Sequence, residues 1–158
     1  MQTKLETPVD YRPLQNVVAR RRICTYILDI DGTLTVPGTR DPYSPEVEHD
    51  LPNEPVVNVI RYLGLFNTLV VVTGRHEGIR QATAAWLNRQ RILWHNLFMR
   101  GDDDYREDAI VKREIYHEHI EGKYMNVLGV FDDRLSVIDM WQSLGLFVFN
   151  CNNGRGVF

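Results

Sequence analysis

Two cysteines, Cys24 and Cys151, are all that this chain carries in 158 residues. That is too few for a disulfide framework or a cysteine-built zinc site. A reducing cytosol is the simplest setting, and Cys24, inside an apolar run, is expected to pack as a small hydrophobe. A basic excess is also missing: the formal net charge is −3, whereas a protein that neutralises many duplex phosphates is ordinarily basic. Any contact with nucleic acid is therefore expected to be local, at a strand end or a single nucleotide. No apolar run approaches the length of a membrane span. The opening stretch MQTKLETPVDYRPLQ has no apolar signal core, so a soluble, cytoplasmic protein is expected. Internal repeats and low-complexity tracts are absent.

What is present is an ordinary globular composition, 44% apolar and 25% charged, at a length that fits one domain with a real core. Residues 1–22 read as an irregular leader broken by Pro8 and Pro13, and the triple arginine Arg20–Arg22 as a solvated flank. Residues 23–158 read as a single domain. The first strand runs from Ile23 to Asp29. Five of the seven prolines fall in residues 36–55, which predicts a small structured insertion over the end of that strand.

A helix over 55–65 follows, with Pro55 in its first turn. TLVVVTGR reads as a second buried strand, and 76–89 as a helix with apolar spacing at Ile79, Ala82, Trp86 and Leu87. ILWHNLFMR is expected to be the third strand, AIVKREIYHEHI a helix and MNVLGVFDD a strand. LSVIDMWQSLG reads as a helix stopped at Gly145, and LFVFN as a last strand with Phe147 and Phe149 in the core. Strands alternating with helices predict a three-layer α/β/α sandwich around a central parallel sheet, which binds ligands outside the carboxyl ends of its strands.

Chemistry-bearing residues gather at those ends. Asp29 and Asp31 close the first strand, Thr73 the second, and Asp132 and Asp133 the fourth. Residues two apart on a strand share a face, so Asp29 and Asp31 can approach each other unless the turn at Gly32 parts them. Carboxylates at close range repel unless a cation neutralises them, and several oxygens around one small site suit Mg²⁺. Thr73 and Gly74 offer a hydroxyl and backbone N–H donors, and Arg75 and Lys112 supply positive charge. A phosphate would complete the balance.

Asp29-Ile30-Asp31-Gly32-Thr33, then Thr73-Gly74-Arg75, then Lys112, then Asp132-Asp133 resemble the four ordered motifs of the haloacid dehalogenase superfamily of phosphatases. GTRDPY, HDLPNEPVV, VVVTGR, REDAIVKREIYHEHI and VFDDRLSVIDMWQSLGLFVF further resemble the 3′-phosphatase domain of phage polynucleotide kinase/phosphatases, from Cys24 to Phe158. No GxxxxGK[ST] phosphate loop accompanies them, so the phosphatase domain is expected without the kinase.

The resemblance implies the Rossmannoid fold of that superfamily and a role for each matched residue. Asp29 is the nucleophile and Asp31 the general acid and base. Thr73 and Lys112 hold phosphoryl oxygens, and Arg75 acts catalytically. Arg40, Gly74 and Asp108 bind substrate, with Asp108 orienting Lys112 or Arg75. Mg²⁺ is bound by Asp29, by Asp31 through its backbone carbonyl, and by Asp132 and Asp133. The implied substrates are 3′-phosphorylated RNA or DNA ends or nucleotides, processed alongside a separate kinase and ligase, in a host cytoplasm if the source is viral.

Duller readings stand beside these. Asp132-Asp133 can cap the next helix, Asp108 can be a helix-start residue favoured by the dipole, and Arg40 and Arg75 can be surface arginines. Asp102–Asp104 reads as a solvated loop. His117 and His119 invite a zinc site, but residues two apart on a helix point to nearly opposite sides. The alternative functions are a 5′-nucleotidase or small-metabolite phosphatase, and a non-catalytic module that binds phosphorylated ends.

Overall fold

A computed structural model describes residues 23–36, 38 and 46–152. The expected leader, the triple arginine, Arg40 and residues 153–158 lie outside the described residues.

Short apolar runs rich in β-branched residues form the strands, as such runs do in sheets covered on both faces. They are β1 (Thr25–Leu28), β2 (Thr68–His76), β3 (Asn96–Arg100), β4 (Val127–Asp132) and β5 (Val148–Asn150). All pairings are parallel, in the order β3-β2-β1-β4-β5. Helices α1 (Glu54–Gly64), α2 (Arg80–Arg89), α3 (Asp108–Ile115) and α4 (Leu135–Ser143) make the connections.

The alternation along the strands assigns each face its core. Tyr26, Leu28, Leu69 and Val71 pack with Val57 and Ile60 of α1 and Trp86 and Leu87 of α2. Ile27, Val70, Val72 and Val130 pack on the opposite face with Val111 and Ile115 of α3 and Val137, Met140 and Trp141 of α4. This is the expected three-layer sandwich. No helix among the described residues is long and apolar enough to cross a membrane.

The chain first winds from β1 outward through β2 to β3, then returns to the other side of β1 for β4 and β5. The direction therefore reverses at the β1–β4 neighbour pair, and the crevice of such a sheet opens at that reversal. Asp29 and Asp132 flank it, because Leu28 is in register with Phe131 and the Asp29 N–H donates to the Phe131 carbonyl at 3.0 Å.

Several boundaries differ from expectation. β2 continues through His76 across a register shift, so the next helical stretch opens as a 3-10 turn, Glu77–Ile79. The third strand starts only at Asn96, after Arg91 takes a left-handed φ of 55° and Trp86–Arg91 close the end of α2. The helix expected through Ile120 is α-helical to Ile115 and then a π turn, Tyr116–Ile120. The last strand is three residues long, and the expectation that Phe147 and Phe149 lie in the core is corrected: they are 64% and 39% exposed. β5 is at the edge of the sheet, and the Phe149 ring stacks on Phe131 at 4.5 Å rather than sinking beneath a layer of helix.

The described part of the 36–55 stretch returns against the segment that follows β1. Thr35 bridges Pro52 in antiparallel fashion, the Val36 N–H donates to Leu51, and the Asn53 N–H donates to Leu34 at 2.8 Å. Its 3-10 turn, Val47–His49, buries Val47.

Gly145 ends α4 as expected. Its φ is +78°, its N–H donates to the Gln142 carbonyl and the Leu146 N–H to the Trp141 carbonyl, the paired bonds of a Schellman cap. A Cβ there would meet nothing within 4 Å, so Gly145→Ala is a purely conformational change. It is expected to cost about 1 kcal/mol, read as a lower urea midpoint with an unchanged slope.

Candidate active site

β1 stops at Leu28, and the next residues turn sharply. The N–H groups of Thr33, Leu34 and Thr35 all converge on the Ile30 carbonyl at 2.9–3.2 Å. Gly32 makes the turn possible, with φ +85°, and a Cβ at that position would lie 2.0 Å from Asp133 Oδ2. The turn parts the two aspartates. Asp29 faces inward to β4, whereas Asp31 points towards β2.

Lys112 is the pivot of the inner group. It rises from α3 with its side chain 2% exposed, and Nζ donates to Asp29 Oδ1 at 2.6 Å and to Asp132 Oδ2 at 2.9 Å. The Trp141 indole N–H also reaches Asp132 Oδ2, at 3.3 Å, and the Arg134 N–H reaches Asp132 Oδ1 at 3.2 Å. Asp133 Oδ1 accepts from the Thr33 hydroxyl at 3.3 Å, and its carbonyl accepts from Asn152.

Carboxylate oxygens of Asp29, Asp132 and Asp133 all lie within 4.8 Å of one another, and all three residues are buried. Three carboxylates against one ammonium leave two negative charges uncompensated. Hard oxygen donors with that deficit fit a divalent cation. The Asp31 carboxylate stands outside this group.

The charge states follow from the same arrangement. Burial holds the Asp29 carboxyl well above its ordinary range, with Lys112 opposing and Asp132 and Asp133 adding to the rise. Burial also works against the Lys112 charge, but Asp132 and Asp29 outweigh it, and the ammonium keeps its proton more firmly than a free lysine. Asp133 is raised by burial and then by Asp132. Cys151 is pushed up to about 12 by burial first and then by Asp133, Asp132 and Asp29, so it stands here as a thiol.

A second group faces the first across the cavity. Arg75, at the irregular end of β2, is a buried residue and no surface arginine. Its Nε and Nη2 grip the two oxygens of Asp31 at 2.8 and 2.6 Å, and Nη2 also meets Asp50 Oδ2 at 2.6 Å. Burial opposes its charge, but Asp31 and Asp50 more than offset that, and the guanidinium holds its proton more tightly than usual.

Asp108 opens α3 and forms a third group. One of its oxygens is held by Arg100 Nη2 and the other by Arg134 Nη1 at 2.6 Å. The expectation that Asp108 orients Lys112 or Arg75 by direct contact is corrected, since neither arginine that binds it is Arg75 and Lys112 faces β1 and β4. Its charge nevertheless adds to the rise at Lys112.

The cavity is lined by Asp29, Asp31, Gly74, Arg75, Lys112 and Asp132, with Asp133, Asp108 and Arg134 completing it. Thr73 lies beneath, fully buried, its hydroxyl accepting the Arg75 N–H at 3.2 Å. His117 pairs with Glu121 and His119 stacks flat on Phe98 at 4.8 Å, so the two histidines face apart, as the sequence spacing requires.

Sequence reasoning missed Asp50, Arg100 and Arg134 as members of this constellation. Arg134 directly follows the paired aspartates, and Arg100 ends a strand at the same sheet edge, so both had a signal. Asp50 had a weaker one, as part of the stretch HDLPNEPVV that resembles the family but was given no role there.

Comparison with known proteins agrees with this picture. Residues 24–155 match the family described as polynucleotide kinase PNKP phosphatase domain. A protein of Autographa californica nuclear polyhedrosis virus, provisionally named a bifunctional polynucleotide kinase/RNA ligase, is 34% identical over 146 residues, covering 89% of this chain and 20% of that protein. A chain of the Pnkp1/Rnl/Hen1 RNA repair complex superposes with a TM-score of 0.76 at 36% identity, over 81% of this chain and 42% of that one. The chain thus spans about a fifth and two fifths of these relatives. A D,D-heptose 1,7-bisphosphate phosphatase from B. bronchiseptica shares the fold, with a TM-score of 0.57 at 17% identity, over 81% of this chain and 80% of that one. The family match takes in every strand from β1 to β5, and the chain accordingly belongs to the polynucleotide kinase PNKP phosphatase-domain family, within the haloacid dehalogenase superfamily of phosphatases.

Proposed function

We propose that this protein is a Mg²⁺-dependent phosphatase that removes 3′-phosphates from nucleic-acid ends. The observation that carries the reading is Lys112 held between Asp29 and Asp132 at adjacent strand ends. One carboxylate is thereby oriented towards a cavity that also holds an arginine-gripped second aspartate.

Asp29 attacks phosphorus, forming an aspartyl-phosphate as the bond from phosphorus to the sugar oxygen breaks. Asp31, as general acid, gives a proton to the leaving alkoxide. It then takes a proton from the water that attacks the aspartyl-phosphate, and inorganic phosphate leaves as Asp29 is regenerated. Acid–base assistance of this kind is worth roughly 10²–10⁴-fold, and it matters because a sugar alkoxide is a poor leaving group. Lys112 keeps the nucleophile in one rotamer and is placed to meet a phosphoryl oxygen. Mg²⁺ bound by Asp29, Asp132 and Asp133 would hold the phosphate against the nucleophile and offset charge on its equatorial oxygens.

The purified protein is expected to release phosphate from a 3′-phosphorylated oligonucleotide, to stop in EDTA and to resume when Mg²⁺ is restored. Faster release from a 5′-mononucleotide would favour the 5′-nucleotidase alternative, and no release from any substrate the non-catalytic one. The names of the relatives, which pair kinase, ligase and RNA repair, support a place in end healing beside a kinase and a ligase.

Arg134 offers a test of polymer recognition. Its side chain is 47% exposed at the cavity mouth and anchored by Asp108, where the backbone of a longer substrate would pass. Arg134→Ala is expected to raise KM for an oligonucleotide by about tenfold, the scale of one charge-assisted contact. KM for a 3′-mononucleotide should change much less, and the salt dependence on the oligonucleotide should weaken.

A further inference from the structure

Asp31 and Asp50 share one nitrogen, which has an N–H for each. Arg75 Nη2 donates to Asp31 Oδ1 and to Asp50 Oδ2, both at 2.6 Å, while Nη1 is buried without a hydrogen-bond partner. The two carboxylates are held very differently. The Asp50 backbone is pinned to the core: its carbonyl accepts the indole N–H of fully buried Trp86 at 2.9 Å, and its N–H donates to the Val47 carbonyl. Its carboxylate is 11% exposed. Asp31 sits on the turn after β1 with its carboxylate 38% exposed, facing the cavity.

A carboxylate with both oxygens in one guanidinium fork has a lone pair of each oxygen taken up by that fork. To exchange protons with substrate or water, Asp31 must leave at least part of that fork. Arg75, its side chain 1% exposed, would then be a buried cation stripped of two bonds, a costly state unless another anion stays with it. Asp50 is that anion, its backbone bonded to Trp86 and Val47, whereas Asp31 stands on the more exposed turn after β1.

We propose that Asp50 is a positioning residue for the proton-transfer step: it holds Arg75 in place while Asp31 swings between the guanidinium and the substrate. The proposal rests on the reading of Asp31 as general acid and base. The sequence held Asp50 only within the stretch HDLPNEPVV and gave it no role.

The test uses leaving groups. Asp50→Asn keeps the shape and the backbone bonds to Trp86 and Val47 but removes the charge. On a 3′-phosphorylated oligonucleotide, whose alkoxide needs a proton, cleavage is expected to slow about 10–100-fold, within the range of acid–base assistance. On p-nitrophenyl phosphate, whose leaving group needs none, the first-turnover burst of nitrophenolate should stay within about twofold of wild type. Equal losses on both substrates, or no loss on either, would overturn the proposal.

Asp31→Asn is the reference. If it shows no split between substrates, the acid–base reading fails; if it shows the split and Asp50→Asn does not, only the role of Asp50 fails. Asp50→Glu keeps the charge at altered reach and covers the case in which the asparagine variant does not fold. It should show the same split in smaller measure, and an equal loss on both substrates there overturns the proposal too.

Discussion

Asp29→Asn should abolish turnover and yet melt no lower than the wild type in metal-free buffer. Removing an enzymic nucleophile costs on the order of 10³-fold or more, and an amide cannot form the acyl phosphate. The stability half of the expectation comes from burial. In the fold the Asp29 carboxyl lies above its ordinary value of 3.8, with desolvation as the leading cause. Its folded state therefore binds more protons than the unfolded chain as pH rises through that window, and stability falls there. Asparagine carries no charge to desolvate.

In EDTA, the variant should accordingly gain on the wild type as pH climbs above the ordinary carboxylate range, and the gap should close in acid. Thermal melts across pH, with and without Mg²⁺, check this. Millimolar Mg²⁺ should raise the wild-type Tm and move the variant much less, because one of three proposed metal carboxylates is gone. A variant that turns over at the wild-type rate would remove Asp29 from the chemistry altogether.

Lys112→Met should be the most destabilising single change at the site. Methionine nearly matches the stem of lysine, so the packing of α3 against the sheet is preserved and the loss is electrostatic. Asp29 and Asp132 would then face each other in the interior without their shared cation. Breaking a buried pair from one side typically costs about 3–5 kcal/mol, which for a chain of this length is a Tm drop of roughly 10 °C in chelator.

Mg²⁺ should recover part of that loss, and a larger share than it adds to the wild type, because it replaces the missing positive charge. Activity should fall roughly 10²-fold even with Mg²⁺ present, as one electrostatic contact to the phosphoryl group is removed. An unchanged melt in chelator would mean that the two carboxylates do not depend on Lys112, contrary to the geometry.

The two substitutions thus bracket one arrangement from opposite signs. Deleting a charge that burial disfavours should help the metal-free fold, and deleting the charge that compensates it should harm it. Both should lower activity, Asp29→Asn to nothing and Lys112→Met by roughly 10²-fold.

How legible this was in the chain differs from residue to residue. Asp29 and Asp132 were readable because each ends an apolar run, and a parallel sheet brings all such ends to one edge. Lys112 was readable only through the family motif, since its position on a helix says nothing about burial. Asp108 lines the cavity, but its oxygens meet Arg100 and Arg134 rather than the residues it was expected to orient. Phe147 and Phe149 were assigned to the core on hydrophobicity alone, although the last strand in the order β3-β2-β1-β4-β5 is an edge. Asp50 stood inside the family-like stretch HDLPNEPVV with nothing to mark its carboxylate for Arg75.

The order of strands and helices, the two-faced core and the edge on which chemistry would gather were all determined by the amino-acid sequence alone, because apolar periodicity and turn residues act over a few positions. Tertiary structure alone decided which charge meets which. Arg75 finds Asp31 from 44 positions away and Asp50 from 25, and Lys112 reaches Asp29 across 83. Periodicity tells a side chain which side of its own element to take. The partner waiting there is set by how separate elements cross in space, and in this fold the turn at Gly32 sends Asp29 to a lysine and Asp31 to an arginine.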